Sequence, residues 1–248
     1  MIKELLYEAG AILKQDFNNL KNSSSKEKFH LVTESDIKIE NILVERLMSQ
    51  YPGYSIFSEE KGEIDNSGEK KWIIDPIDGT ADFVFGVPYF SISIALEING
   101  EIAEGHVYNP ISDEYYFSSV QAGKAFLNGE VIRVSDTCSI DESLIAYGYS
   151  TNFTYINDYY KRWKHLFDNS KKGMPLISPA LNLCNMARGR IDAYLDFGCS
   201  MEGQSAGALI LKNAGGKLWN YDLSNYDHQI KGIIATNGKL SILPDTDF

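Results

Sequence analysis

The chain is short of basic residues and of cysteine, and each shortage narrows what it can be. Its 23 Lys and Arg stand against 34 Asp and Glu, a net charge of −11, and the basic residues form no block. A polyphosphate backbone would be repelled on average, so nucleic acid is not expected as a partner. The three cysteines, Cys138, Cys184 and Cys199, are an odd number with no Cys-x-x-Cys and no histidine at ligand spacing. That argues against a disulfide framework or a zinc site and for a reducing cytoplasm. Long apolar runs are missing too. Residues 1–20 set Ile2, Leu5, Leu6, Ala9, Ile12, Leu13, Phe17 and Leu20 at helical spacing but interrupt them with Glu4, Glu8, Lys14 and Asp16. An amphipathic helix reads this way; a signal peptide or membrane span does not. There is no Walker loop, no Gly-x-Gly-x-x-Gly and no internal repeat, and His106, His165 and His228 show no spacing to a nucleophile.

What is present is an ordinary globular composition. With 248 residues, 44% hydrophobic and 23% charged, the chain can bury one large core or two modest ones. After the first helix, residues 22–25 read as a polar, flexible break. A second helix begins at Thr33, with Asp36 at capping-box spacing and Ile39, Ile42, Leu43 and Leu47 on its core face, and Tyr51-Pro52-Gly53 ends it. Residues 55–57 form a short strand that delivers Ser58-Glu59-Glu60 to its end, and 63–71 is loop. Strands are expected at 72–74, 90–98, 102–108 and 115–118, with Asn99-Gly100 and Asn128-Gly129 as hairpin turns. The second half alternates strand 144–147, helix 157–167, strand 176–178, helix 179–188, strand 191–195 and helix 204–213, then strands 217–219 and 232–236. An antiparallel-rich α+β half at 1–138 thus precedes an α/β half at 139–248. No linker is long enough to free them, so one compact unit is expected.

The chemistry concentrates in Lys71-Trp72-Ile73-Ile74-Asp75-Pro76-Ile77-Asp78-Gly79-Thr80. An apolar run delivers two carboxylates three residues apart. Because proline cannot continue a central strand, the chain is expected to turn at Pro76, aiming Asp75 and Asp78 into one space and exposing the Ile77 carbonyl. Gly79-Thr80-Ala81 resembles a helix start, whose free N–H groups suit an anion while Thr80 adds a hydroxyl. Hard oxygens of this kind suit magnesium and phosphate. Taken singly the pieces have plainer readings: Asp-Pro and Asp-Gly form turns, Glu59-Glu60 is a solvated strand end, and Asp36 caps a helix. Their combination is what points to metal-dependent phosphate chemistry.

In that combination the chain resembles the inositol monophosphatase family. The matching stretches are Leu31-Val32-Thr33-Glu34-Ser35-Asp36, Ser58-Glu59-Glu60 and, almost letter for letter, 72–80, with support at 123–129, 187–194 and 206–216. The resemblance implies the layered αβαβα sandwich of the inositol monophosphatase and fructose-1,6-bisphosphatase type. It also implies a homodimer with no membrane partner, acting as a phosphoric monoester hydrolase on a small phosphorylated substrate with two or three Mg2+ ions. Glu59, Asp75 and the Ile77 carbonyl would hold one ion, while Asp75 and Asp78 would share a second. Thr80, hydrogen-bonded to Asp36, would orient and deprotonate the attacking water beside Glu59. The N–H groups of Gly79 and Thr80 would take phosphate oxygens. No covalent phosphoenzyme is required; the Asp-x-Asp of haloacid dehalogenase phosphatases occurs only as Asp245-Thr246-Asp247 in the tail.

The chain also departs from the family. Where a Trp-Asp pair completes the second metal site, it has Glu202-Gly203. Glu202 is one residue early but one methylene longer; it reaches the metal if the turn 198–203 is reshaped, and otherwise it is a solvated loop residue. His30 stands where Asp is common and reads equally as a surface imidazole, and Lys26 is the nearest counterpart of a loop lysine. Residues 174–178 lack the arginine of an Arg-x-x-Gly-Ser segment. Asp196 falls where inositol-type enzymes place a substrate-contacting Glu, which suits a polyol or sugar. Tyr147, Tyr149, Phe153, Tyr155, Tyr159, Tyr160 and Trp163 read as packing residues or as a stacking wall. The leading expectation is a Mg2+-dependent phosphomonoesterase for a small phosphorylated polyol or sugar. Against it stand a nucleotide 3′-phosphatase or NADP(H) phosphatase and, in another class, a catalytically weak binder of phosphorylated ligands.

Overall fold

The computed structural model describes residues 1–18, 23–27, 30–66, 68–148 and 156–242, with 23–27, 30–33 and 156–160 described by their backbone. In chain order the elements are α1 (Ile2–Asn18), β1 (Ser23–Glu27), β2 (His30–Thr33), α2 (Glu34–Gln50), β3 (Ser55–Ser58), β4 (Gly62–Ile64), β5 (Lys70–Asp78), α3 (Thr80–Val84), β6 (Ser91–Ile98), β7 (Glu101–Asn109), β8 (Glu114–Ser119), β9 (Lys124–Leu127) and β10 (Glu130–Ile132). The second half adds β11 (Leu144–Gly148), α4 (Ile156–Asn169), β12 (Lys172–Pro175), α5 (Pro179–Ala187), β13 (Ala193–Asp196), α6 (Met201–Ala214), β14 (Lys217–Asn220) and β15 (Ile233–Thr236).

Two large sheets organise these elements. One runs β10-β9-β8-β7-β6-β5-β3-β4 and the other β12-β11-β13-β15-β14, while β1 and β2 form a separate hairpin. Period-two alternation explains how the first sheet serves two cores. Ile73, Ala95, Val107 and Tyr116 face α5 and α6. Trp72, Ile74, Ile92, Ile94 and Tyr108 face the apolar stripes of α1 and α2. Covered on both faces, β5 is buried without interruption from Trp72 to Asp78. The second sheet packs Ile145, Ala193, Leu195 and Ile234 against Trp163 and Leu166 of α4. The layers are therefore α1 and α2, sheet, α5 and α6, sheet, α4: the αβαβα sandwich.

Two contacts hold these layers close. A Cβ placed on Gly105 of β7 would lie 2.6 Å from the Ala206 carbonyl oxygen of α6, so only glycine admits that approach. Farther along, Glu97 of β6 meets His228, in the connection between β14 and β15, at 2.7 Å, with Lys71 Nζ 3.5 Å from the other Glu97 oxygen.

Several local expectations change. Residues 23–25 belong to β1, because the polar segment finds a local antiparallel partner in β2. Within 63–71, β4 pairs with β3 and β5 begins at Lys70. The strand expected at 176–178 sits instead at Lys172–Pro175, where it runs parallel to β11 and leaves 176–178 to lead into α5. Chain 124–132 contributes β9 and β10 around the Asn128-Gly129 turn, whose two residues take the positive φ angles of 50° and 92° that such a turn needs. Trp163 is core, and the Tyr147 ring packs on Phe167 at 5.0 Å. Tyr149, Phe153, Tyr155, the side chains of Tyr159, Tyr160, Lys26 and His30, and the tail motif at 245–247 lie outside the described residues.

Gly105→Ala should cost about 1–3 kcal/mol through the forced separation of β7 and α6. For a chain of this length that lowers the melting temperature by about 2–4 °C per kcal/mol, readable by calorimetry. An unchanged melting temperature would show that the layers separate freely at this point.

Candidate active site

β5 does not end at Pro76. Asp75 pairs with Ser93 and Asp78 with Ser91 of β6, and the register shifts between them. Pro76 and Ile77 thus occupy a bulge, where a residue without an N–H disturbs no ladder bond. The bulge does what a turn was expected to do, re-aiming two carboxylates at a strand end. Gly79 follows with φ 95° and ψ 37°, a left-handed conformation that starts α3. The same glycine admits close neighbours: a Cβ there would lie 3.1 Å from both the Ser178 Cβ and the Tyr89 carbonyl oxygen.

Glu59 arrives from the neighbouring strand. β3 runs parallel to β5 with Ser58 beside Ile74, so the next residue along emerges level with Asp75. Its turn is fixed from below by Glu40 of α2, whose buried Oε1 accepts the N–H groups of Glu60 and Lys61, each at 3.1 Å.

The C-terminal half closes the site. Asp78 Oδ2 accepts the Ser91 hydroxyl at 3.1 Å, the Ala180 N–H at 3.1 Å and the Ser178 hydroxyl. The carboxylate thereby caps the first turn of α5, whose own N-cap side chain makes no capping bond to the helix. α6 begins at Met201, earlier than expected, with the Gln204 N–H bonding to the Ser200 carbonyl. Glu202 and Gly203 therefore lie in its first turn and not in an irregular loop. A Cβ at Gly203 would lie 3.6 Å from Asp78 Oδ1, so position 203 looks directly at that carboxylate.

Glu59, Asp75, Ile77, Asp78, Gly79, Thr80 and Asp196 line one cavity of about 210 Å3, together with exposed Ile177, Pro179, the segment 198–200 and Gly203. Asp36 and Glu202 are outside that lining, yet their charges reach it: Glu202 acts on Glu59 and both act on Asp75. A larger hollow of about 310 Å3, among Glu101, Ser205, Lys212, Tyr226 and His228, contains none of these groups.

Burial and like charge dominate the electrostatics. Burial first, then Glu202, Glu60 and Asp78, push Glu59 up to about 7. Burial pushes Asp78 up to about 7 as well, against the pull of its donors Ser178, Ala180 and Ser91. Asp75 is raised well above the carboxylate range by burial and by Glu59 and Asp78, and its Oδ1 is buried without a hydrogen-bond partner. Three mutually repelling carboxylates, one with an orphaned oxygen, call for positive charge, and hard oxygen donors suit a hard divalent cation. Among the described residues no three acidic, imidazole or thiol groups already stand in a coordinating cage. Like-charged side chains keep apart on their own, so the residues fit a cation that gathers them.

Two expected roles change. The Thr80 hydroxyl donates to the Ile77 carbonyl at 2.8 Å, not to Asp36, because both groups sit on one tight turn. Asp196 lines the cavity, but its oxygens already accept the Tyr194 hydroxyl at 2.7 Å and the Gly198 N–H at 2.8 Å. It anchors the 197–200 segment. Ser91, Ser178 and Glu40 were not foreseen. Glu40 had a signal, an acid on the apolar stripe of α2 one turn after Asp36, whereas nothing local distinguishes the two serines.

The sequence pattern described as the inositol monophosphatase family matches residues 1–244. Inositol monophosphatase 3 of Solanum lycopersicum is 34% identical over 245 residues, covering 96% of this chain and 91% of that protein. The fructose-1,6-bisphosphatase/inositol-1-monophosphatase of Thermotoga maritima is 34% identical, covering 95% and 89%. Among solved structures, the extragenic suppressor protein suhB from Bartonella henselae superposes with a TM-score of 0.90 at 30% identity, covering 96% of this chain and 93% of that one.

The raised carboxylates make a pH prediction. Glu59 and Asp78 titrate at about 7 in the folded chain and at about 4 when unfolded. Over that window the folded state holds protons that the unfolded state has released, so stability falls as pH rises. In EDTA the melting temperature should drop between pH 5 and pH 7.5, and millimolar Mg2+ should restore it at the upper end only. A melting temperature that climbs with pH in EDTA would contradict the charge cluster.

Proposed function

The chain belongs to the inositol monophosphatase family, and on that footing we propose that it hydrolyses the phosphate monoester of a small polyol or sugar with the help of two Mg2+ ions. It is a phosphoric monoester hydrolase of a metal-dependent family. The observation that carries the finer reading is the convergence of Glu59, Asp75 and Asp78 on one cavity, with Asp75 Oδ1 buried and unpartnered. Glu59, Asp75 and the Ile77 carbonyl would hold one cation, and Asp75, Asp78 and Glu202 would serve the other, with Glu202 acting from the first turn of α6 in place of a side chain at Gly203. Bound cations supply charge to the phosphate and acidify a water.

The remaining work falls to the chain's own groups. Thr80 Oγ1, its proton committed to Ile77, accepts a hydrogen bond from the attacking water and so fixes its direction. Glu59 takes the water's proton on its carboxylate as the new P–O bond forms and the ester P–O bond breaks, and that proton returns to the departing alkoxide, giving alcohol and phosphate. Asp36, buried behind the site, adds its charge to the field at Asp75. The N–H groups of Gly79 and Thr80, at the start of α3, receive phosphate oxygens. A polyol or sugar is favoured because the walls expose somewhat more polar than apolar surface and Ile177 is the exposed apolar side chain among the lining residues.

We further propose a homodimer, as the family resemblance implies, in a reducing cytoplasm, where Cys138, Cys184 and Cys199 remain free thiols. No described helix is long and apolar enough to cross a membrane. Residues 1–138 and 139–248 act as parts of one unit, since α6 of the second packs on the strands of the first.

Phosphate release from inositol, sugar and nucleotide monophosphates, with Mg2+ or with EDTA, tests the reading. Sugar or inositol phosphates should be hydrolysed fastest and only with Mg2+. Preference for nucleotides would move the protein to the nucleotide phosphatase reading, and silence across the panel to that of a phospho-ligand binder. Asp75→Asn should lower kcat/KM with the fold intact, by at least the roughly 10–100-fold that follows loss of a partner merely behind a metal ligand. Glu202→Gln should raise the Mg2+ concentration needed for half-maximal rate; an unchanged requirement would remove Glu202 from the second site.

A further inference from the structure

The hydrogen bonds of Asp78 gather on one oxygen, with the Leu181 N–H of α5 adding its pull on the carboxylate. Its Oδ2 is held by three donors from two different layers: Ser91 on β6, and Ser178 and the Ala180 N–H at the start of α5. Its Oδ1 faces the other way, toward α6, 3.6 Å from where a side chain at position 203 would begin. Ser91, Ser178 and Asp78 are all buried, so neither water nor a change of rotamer offers Oδ2 equivalent partners. Gly79 leaves no slack in the arrangement, because any Cβ there would lie 3.1 Å from the Ser178 Cβ.

We infer that Ser178 and Ser91 are positioning residues that dedicate Asp78 Oδ2 to the protein and leave Oδ1 alone to face the cavity. Asp78 is then a one-oxygen donor of fixed direction. The two hydroxyls do this from opposite halves of the chain, so the direction of Oδ1 depends on how α5 is docked on the first sheet. The inference rests on the proposed role of Asp78 in holding a cation.

Neither serine touches the cavity, so each must act through Asp78. Asn182 provides the contrast. It ties α5 to its surroundings through the Leu176 carbonyl and the Tyr89 hydroxyl, without contact to Asp78. A loss caused merely by loosening α5 would therefore follow from Asn182→Ala as well.

The test is Mn2+ binding to the purified full chain, with free Mn2+ counted by electron paramagnetic resonance, and with melting temperatures recorded in parallel. Ser178→Ala and Ser91→Ala should each weaken Mn2+ binding by about 10-fold or more, the usual effect of removing a partner behind a ligand. Asn182→Ala should lower the melting temperature and leave Mn2+ affinity unchanged. Asp78→Asn should abolish the second of the two proposed sites. If Ser178→Ala does not fold, Ser91→Ala carries the test from β6. Wild-type affinity in both serine variants, with binding lost in Asp78→Asn, overturns the positioning role and leaves the cation site standing. An equal loss in Asn182→Ala overturns it too, in favour of helix docking. Wild-type affinity in Asp78→Asn overturns the cation role itself.

Discussion

Carboxylates brought together away from water repel one another, and a fold that gathers them must supply donors to hold each one in place. Here the donors to Asp78 and Glu40 come from other elements, and those to Asp196 from its own strand and the turn that follows it. Asp78 is held by β6 and the start of α5, Asp196 by Tyr194 and the Gly198 N–H, and Glu40 by the turn that carries Glu59. The site exists only when those elements are in register, so assembling the layers and assembling the chemistry are one event. The cost of unpaired buried charge, several kcal/mol per ion in a protein interior, is what makes this a constraint and not a convenience.

The sequence disclosed the strand end far better than its surroundings. The string from Lys71 to Thr80 named its own carboxylates, because a strand with Pro and Gly at its end has few ways to continue. It did not show how: β5 passes through Pro76 by a bulge, since register against β6 is decided by the partner strand and not by local propensity. Ser178 and Ser91 were invisible for the same reason. Their partner, Asp78, lies 100 residues away from one of them, and only the tertiary fold brings them together. Asp36 and Glu40, at one-turn spacing on α2, formed a pattern that could be read, but only half of it was.

The strands and helices of the second half were legible in order and shifted in place. Parallel pairing of β12 with β11 uses residues 172–175, while apolar content alone favours 176–178. The start of α6 shifted for a different reason. Glycine at 203 suggests a break, yet Ser200 and Gln204 close a helical turn across it. That shift brings Glu202 into the first turn, where its charge acts on Glu59 and Asp75.

The closeness of α6 to its neighbours bears on how such a protein diversifies. A Cβ on Gly207 would come within 2.9 Å of Leu183, just as one on Gly105 would meet Ala206. Most substitutions along these seams jam the layers before they alter the cavity. Phe197 is pinned in the same way by Gly232 and Ser178 by Gly79, whereas Ile177, exposed at the lip of the cavity, meets no such seam. New substrate ranges in descendants of this chain should therefore arise at exposed lip positions such as Ile177, while the helices behind them stay nearly invariant.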